Sequence, residues 1–230
     1  SASVAAVPGS PTAPGGAGAA TPAATPATPA GAQAGASASA TRDPFTPVRV
    51  KVAEGTANGH TWEAWAALWP TPAARNEAVG QARLIRAERY AANPDVKQVV
   101  PKDVESNWGP ENDLVNYYFT VDGKRQADDS LHAVTSPGRF VGGYGGASLG
   151  LQHPSGVPPV VIEAARAEVV KVVVEWKSGG STEAVPVTVG DSPVRYFGLV
   201  AKPDTDAALV TYYRADGSVE RATDHWLRTS

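Results

Sequence analysis

The first clear pattern in the chain is an alternation of apolar and polar residues in VRVKV, where three valines alternate with Arg49 and Lys51. A period of two residues is typical of a strand with one buried face. The stretch GTANG follows and ends in Asn58-Gly59, the residue pair that best tolerates the positive φ angles of a type I′ turn. HTWEAWAALW is therefore predicted to return as the second strand of a hairpin.

The register of this hairpin decides which of its three tryptophans are buried. If Asn-Gly forms a two-residue turn and pairing continues without interruption, Val52 lies opposite Trp65 and Val48 lies opposite Trp69. Valines and large aromatic rings on one face indicate a core. We therefore expect Trp65 and Trp69 to be buried.

Trp62 is predicted to lie on the opposite, more polar face, beside Arg49 and Lys51 and across from Gly55. Partly exposed tryptophans near cationic groups are frequent in binding hot spots, so these three side chains form the candidate contact surface. The alternative is a helix, because the three tryptophans also fall on one helical stripe. The hairpin is favoured because the alternation before the Asn-Gly turn otherwise has no partner strand.

The next segment, PTPAARNEAVGQARLIRAERYAANP, predicts one long α-helix. Thr71 is a suitable N-cap with Pro72 in the first turn, and Asn93-Pro94 supplies the stop. Good helix formers fill the interval.

Strand patterns return after the helix. LVNYYFTV runs into Asp122-Gly123, and KRQAD predicts a second hairpin. Residues 136–159 are rich in Gly and Pro and indicate a long loop or a boundary. Five short strands follow, joined by turn residues. The sequence thus predicts a mainly β protein with antiparallel, sandwich-like sheets and one long helix, divided into subdomains at residues 44–152 and 153–230.

Residues 1–43 are predicted to be a disordered tether. The first forty residues contain no charged and no aromatic side chain and consist almost wholly of Ala, Pro, Gly, Ser and Thr. Such a composition buries too little apolar surface to offset the entropy of ordering the chain. The folded part is expected to begin near Pro44.

Charge and composition narrow the class of protein. The net charge of −3 argues against general affinity for nucleic acid, and no run of eighteen apolar residues predicts a membrane span. The chain has neither cysteine nor methionine and begins at Ser1, as expected of an exported protein from which a signal peptide or anchor has been removed. The alternative is a cytosolic protein that has lost its initiator methionine.

Five segments of the sequence resemble those of a known group of proteins: KVAEGTANGHTWEAWAALWP, NYYFTVDGKR, VVKVVVEWKSGG, VTVGDSPVRYF and TYYRADGSV. Together they resemble uncharacterised extracytoplasmic proteins of high-GC actinobacteria, which have a signal sequence or membrane segment, an Ala/Pro linker and a β-rich domain. The resemblance implies a location outside the cytoplasm and a β-rich architecture. It implies no activity and no site residues.

The sharpest catalytic motif is GASLG, which matches G-x-S-x-G at Ser148. In α/β-hydrolases this serine sits on a tight turn between a strand and a helix. Here GGYGG precedes the motif and LQHPSGVPP follows it, so neither a hydrophobic strand nor a helix is predicted. A nucleophilic Ser148 with His153 or another histidine is the alternative hypothesis.

Other clusters give weaker signals. The four histidines lack local metal-site spacing, and the acidic pairs near Asp103, Glu111 and Asp128 do not fit a calcium loop. The helix carries Arg75, Arg83, Arg86 and Arg89, which is more typical of a solvated helix face than of a phosphate-binding surface. We expect no cofactor and no metal ion.

These observations favour a non-enzymatic module of the cell envelope, displayed outside the membrane on a flexible stalk. Its expected role is sensing, scaffolding or binding of an envelope protein or a cell-wall component. The alternatives are a secreted serine hydrolase that uses Ser148, and a purely structural spacer, which would have no saturable ligand.

Limited proteolysis tests the predicted tether. We expect digestion to release residues 1 to about 40 and to leave a resistant core that begins near Arg42 or Pro44, because the first forty residues have nothing to bury. Mass spectrometry of the fragments measures the boundary. A protected fragment that retained residues 10–30 would contradict the prediction.

Overall fold

The structure is a computed structural model, and it describes residues 42–134, 142–203 and 205–223. The tether predicted for residues 1–43 lies almost wholly outside this range, as does His225. The elements follow in chain order: β1 (Val48–Ala57), β2 (His60–Trp69), α1 (Arg75–Ala92), α2 (Pro101–Asn107), β3 (Leu114–Val121), β4 (Lys124–Ala133), β5 (Gly142–Leu149), β6 (Val160–Arg166), β7 (Val169–Trp176), β8 (Ser181–Ala184), β9 (Val187–Thr188), β10 (Val194–Val200), β11 (Ala207–Arg214) and β12 (Val219–Ala222).

The described strands form three four-stranded antiparallel sheets. The N-terminal sheet has the order β1-β2-β3-β4, the central sheet β5-β6-β10-β9 and the C-terminal sheet β12-β11-β7-β8. The prediction of a mainly β protein is confirmed. The sandwich-like arrangement and the single long helix are not confirmed, because there are three sheets and the two described helices have 18 and 7 residues.

The central sheet is buried on both faces. Phe119 of the N-terminal sheet shares one core with Ile162 of β6, and Val161 of the same strand shares a second core with Val210 of the C-terminal sheet. Successive side chains of β6 point alternately into the two cores. Both faces of the strand are therefore apolar, and its sequence VVIEAAR is a nearly continuous apolar run. The predicted boundary after residue 152 falls between β5 and β6, which are hydrogen-bonded neighbours.

Both predicted hairpin turns are confirmed. Asn58 and Gly59 have φ angles of 53° and 79°, and Asp122 and Gly123 have φ angles of 49° and 76°. Positive φ at both central residues is the property of a type I′ turn, which matches the right-handed twist of the adjoining strands.

The register predicted for the first hairpin is correct near the turn and wrong beyond it. Ala53 pairs with Ala64, but the next pair is Lys51 with Trp65, so Val52 forms a β-bulge. One extra residue in β1 shifts all later pairs by one position and exchanges the two faces of that strand.

The bulge therefore reverses the expected burial of two tryptophans. Trp62 is only 5% exposed and belongs to the core between the N-terminal and central sheets, together with Val52. Trp65 is partly exposed on the other face, where it packs at the margin of a small cluster that includes the buried Trp69. The predicted burial of Trp69 is confirmed, and the predicted exposure of Trp62 is wrong.

Gly55 makes the buried position of Trp62 feasible. A Cβ atom at residue 55 would lie 2.8 Å from Trp62 Cζ2, well inside van der Waals contact. The indole ring therefore lies directly on the backbone of the neighbouring strand, and only glycine leaves room for it.

Two further expectations need correction. Helix α1 begins at Arg75 after Ala74, not at Thr71, although it ends before Asn93 as predicted. Residues 136–159 are predicted to be a long loop or a boundary, but Gly142–Leu149 forms the edge strand β5, and residues 136–141 lie outside the described range. The glycines of β5 permit close approach of neighbouring side chains, since a Cβ on Gly146 would lie 2.5 Å from Glu163 Oε1.

The three tryptophans of β2 should differ in their effects on stability. We expect Trp62→Ala and Trp69→Ala each to lower the free energy of unfolding by about 3 to 5 kcal/mol, as loss of a large buried aromatic side chain does. Trp65→Ala should have a clearly smaller effect because its ring is partly in water. Urea unfolding midpoints measure the order, and equal shifts for Trp62→Ala and Trp65→Ala would contradict the observed register.

Candidate functional site

The structure separates the three residues of the predicted contact surface. Trp62 faces the central sheet and is buried, whereas Arg49 and Lys51 lie on the opposite face of the N-terminal sheet, in register with Ala67 and Trp65. The burial of Trp62 removes the exposure on which its assignment rested. The tryptophan that accompanies the two cations is Trp65.

We define the Trp65 patch as Trp65, Tyr118, Glu63, Arg49 and Lys51. The indole of Trp65 stacks on the phenol ring of Tyr118, with ring centroids 6.2 Å apart and an interplanar angle of 6°. These two residues are direct partners on β2 and β3, so the sheet itself aligns the rings. Tyr118 is buried at the base, and Trp65 keeps part of its ring in water.

Glu63 fixes the polar edge of the patch. Its Oε2 atom accepts hydrogen bonds from Trp65 Nε1 at 3.0 Å and from Thr120 Oγ1 at 2.9 Å. These two bonds lower the pKa of the Glu63 carboxyl below its ordinary value. Lys51 Nζ lies 2.5 Å from Glu54 and 3.3 Å from Glu63, and the hydrogen bond with Glu54 raises the pKa of Lys51. Both residues are therefore charged at neutral pH.

The opposite edge is fixed by charges from α1 and β4. Arg49 pairs with Glu88 of α1 at 2.5 Å. The guanidinium of Arg125 lies 4.1 Å from the centroid of Tyr118 and donates a hydrogen bond to Asn116 Oδ1 at 2.8 Å. Cationic groups over an aromatic ring are attracted by its quadrupole. The patch is thus an aromatic surface surrounded by charges that are already oriented by ion pairs.

The arginines predicted to lie along the helix do not form one surface. Arg89 forms a bidentate contact with the carboxylate of Asp129 on β4, at 2.7 and 2.9 Å. This contact holds α1 against the N-terminal sheet. Arg75 lies over Trp108 at 5.9 Å, and Arg86 lies over Tyr90 at 4.3 Å. The sequence predicted a solvated helix face, whereas these three arginines contact an aspartate or an aromatic ring of the same chain.

A second polar site lies where β4 meets β5, at the edges of two different sheets. Three β4 side chains point toward β5. Ser130 Oγ donates to the Gly146 carbonyl at 2.8 Å, and His132 Nε2 lies 3.0 Å from the same oxygen. Asp128 accepts the backbone N–H of Gly150 at 2.8 Å. This row joins the N-terminal sheet to the central sheet.

Asp128 also orients a histidine. Its Oδ1 atom lies 2.6 Å from His153 Nδ1; the Asp128 side chain is 4% exposed and that of His153 is 48% exposed. Ser148 and Asp128 line one polar cavity of about 350 Å³ with Glu163. The alternative hypothesis named Ser148 and His153, and the structure adds an aspartate to that pair.

The geometry around Ser148 differs from that of the serine in a G-x-S-x-G hydrolase. Ser148 lies within the extended strand β5, paired with Val161, and not on a turn between strand and helix. Among the described side chains, no hydrogen bond joins Ser148 Oγ to His153. An aspartate and a histidine are present, and the serine makes no hydrogen bond to the imidazole in this arrangement.

The other candidates from the sequence have local structural partners. His60 Nδ1 lies 2.6 Å from Asp122 and so links the two hairpin turns. Asp113 accepts the N–H of Thr71 at 2.8 Å and pairs with Arg42. In the part of the chain that the structure describes, no group of three His, Asp or Glu side chains is placed to hold a metal ion. Neither described helix has the length and apolar character of a membrane span.

Sequence reasoning missed both sites in part. The polar site at β4 could have been predicted, because Asp128, Ser130 and His132 recur with the period of two that places side chains on one face of a strand. The Trp65 patch had no such signal, because a bulge of one residue decides which tryptophan accompanies Arg49 and Lys51.

Comparisons with known proteins add no relative. The chain matches no protein-family model, no curated protein and no solved structure.

Proposed function

We propose that this chain is a non-enzymatic binding module of the cell envelope, and that the Trp65 patch contacts a saccharide of the cell wall. The observation that carries the proposal is the partly exposed Trp65 ring, stacked on Tyr118 at 6.2 Å and surrounded by oriented polar groups. The C–H face of a sugar ring packs on an indole, and its hydroxyls bond to fixed carboxylates and cations.

The patch is organised before any ligand binds. Lys51, Glu63, Arg49 and Glu88 already hold each other in ion pairs and hydrogen bonds, so little side-chain entropy remains to be lost on binding. Both signs of charge are present, which favours a neutral or zwitterionic saccharide over a polyanion such as nucleic acid.

The proposed location outside the cytoplasm rests on composition. The chain has no cysteine, and its first forty residues are uncharged and rich in Ala, Pro and Thr. We infer from this composition that the segment separates a domain from its point of attachment. A domain held in this way is suited to contact wall material.

Sedimentation with purified cell-wall sacculi tests the proposed contact. We expect the wild-type chain to sediment in a saturable manner and Trp65→Ala to weaken binding at least about tenfold, the usual effect of removing a hot-spot tryptophan. Trp65→Phe should retain part of the affinity because it keeps an aromatic face.

Tyr90→Ala is the matched control, since Tyr90 is 46% exposed on α1 and lies outside the patch. Thermal unfolding of each variant confirms that the fold is intact. If Trp65→Ala sedimented as well as the wild type, the patch would not be the contact surface.

A serine hydrolase remains the second candidate, favoured by the 2.6 Å contact between Asp128 and His153 and by Ser148 in the adjoining cavity. We expect no stoichiometric labelling by a fluorophosphonate probe, because Ser148 makes no hydrogen bond to the imidazole. Intact-protein mass spectrometry measures the labelling. Stoichiometric labelling that disappeared in Ser148→Ala would establish the hydrolase and refute the binding-only proposal.

A further inference from the structure

A groove runs between α1 and the segment 96–108, which includes α2. It consists of two adjoining cavities of about 380 and 310 Å³. Both are lined by Ala82 of α1, by Val104 of α2 and by Leu114 and Leu131 of the N-terminal sheet. The two cavities are therefore one continuous space, which we name the α1–α2 groove.

The groove follows most of the length of α1. Along α1 it extends from Ala78 to Arg89, a distance of about 16 Å at the rise of an α-helix. Leu114 and Leu131 form its floor, and α2 covers it. Such a shape fits one extended chain better than a compact ring system.

Helix α2 is an unusual cover, because none of its seven residues is buried. A helix of a folded domain normally buries an apolar stripe against its neighbours. Protein interiors are packed nearly as densely as organic crystals, yet here the space between α2, α1 and the sheet measures several hundred Å³. Helix α2 therefore contributes no fully buried side chain to the packing over this groove.

Three polar side chains in the groove wall already form hydrogen bonds with the backbone. The buried Gln81 amide donates hydrogen bonds to the backbone carbonyls of Pro44 and Pro70, at 2.8 and 2.6 Å. Thr71 Oγ1 donates to Gly109 O at 3.0 Å, and Trp108 Nε1 donates to Pro72 O at 3.2 Å. A peptide in the groove would bury backbone amides with few partners, whereas a hydrocarbon chain needs none.

One end of the groove is cationic. Arg86, Arg89 and Lys97 line the cavity at the C-terminal end of α1. Arg89 is neutralised by Asp129, while Arg86 and Lys97 have no carboxylate partner within 4 Å among the described residues. Arg86 Nε is also buried without a hydrogen-bond partner there. Asp103 is the one carboxylate on the lining, and it lies on the exposed cover helix.

We propose that the α1–α2 groove binds the hydrocarbon chain of a long-chain fatty acid, with its carboxylate placed at Arg86 and Lys97. The apolar walls select the chain, and the two cations, which have no carboxylate partner among the described residues, select the anionic end. This site is separate from the Trp65 patch, and it would bind its ligand whether or not the patch contacts the cell wall.

Fluorescence titration of the full chain with 11-(dansylamino)undecanoic acid tests the proposal. We expect saturable binding with a blue shift of the dansyl emission, competition by palmitate and no competition by butyrate. Palmitate should compete at least about tenfold better than hexadecanol, the difference expected for one charge-assisted contact.

Two sets of variants separate the chain site from the head-group site. Val104→Trp should abolish binding by filling the groove, and it replaces a residue of a helix that has no buried side chain. Arg86→Gln with Lys97→Gln should weaken palmitate about tenfold or more and leave hexadecanol unchanged. Arg83→Gln, an exposed position on α1, is the matched control and should change neither affinity.

Three results would overturn the proposal. They are the absence of saturable binding by the folded chain, full binding by Val104→Trp, and displacement of the probe by an apolar peptide but not by palmitate. Equal loss of affinity for acid and alcohol in the double variant would exclude the cationic end as the head-group site.

Discussion

The β-bulge at Val52 is the constraint on which the arrangement of the N-terminal sheet depends. Without it, Val52 would pair with Trp65 and the two cations of β1 would share a face with Trp62. With it, Val52 and Trp62 enter the core against the central sheet, and Arg49 and Lys51 join Trp65 on the helix-bearing face. A single inserted residue thus decides which side of the sheet can meet another sheet and which side can carry charge.

The apolar face made by this register is what the central sheet requires. Sheets with both faces buried need continuous apolar strands and neighbours that approach closely. Gly198 of β10 shows the second requirement, since a Cβ atom there would lie 3.0 Å from Ala53 Cβ. Small residues on β1, β2 and β10 therefore bring the two sheets together, and large ones such as Phe119 and Tyr196 fill the space around them.

Turns and helix ends whose conformation is set by residues adjacent in sequence could be predicted. Elements and contacts that depend on residues far apart in sequence could not. Asn58-Gly59 and Asp122-Gly123 specify their turns by local backbone preference, and Asn93-Pro94 ends α1. The sequence analysis did not predict strand β5. Its glycines leave room for side chains of β6 and β11, and this requirement comes from distant residues that no local sequence pattern reveals. The contact between Asp128 and His153 was missed for the same reason, since it joins residues 25 positions apart.

In the Trp65 patch, local reasoning predicted a tryptophan beside Arg49 and Lys51 but selected the wrong tryptophan. Arg49 and Lys51 were identified from the alternation of β1, and an exposed tryptophan was expected beside them. The identity of that tryptophan depends on a one-residue slip, and period-two patterns carry no information on where a strand bulges. The structure replaces Trp62 with Trp65 and leaves the expected chemistry of the surface, an aromatic ring beside cations, in place.

The helix-bearing face carries both proposed sites because one helix cannot cover it. Four strands spaced by about 4.8 Å make a face on the order of 15 to 19 Å wide, whereas a helix with its side chains is about 10 Å across. Helix α1 docks through Arg89 and Asp129 near β4 and through Ile85 against Trp69. At β2 the sheet stays open at Trp65, which lies beside charged residues of the same face. At β3 and β4 the remaining width is covered by α2, which is too short and too polar to fill it, and an apolar groove results. The size mismatch between a four-stranded sheet and a single helix therefore produces an open polar surface and a covered apolar one on the same face.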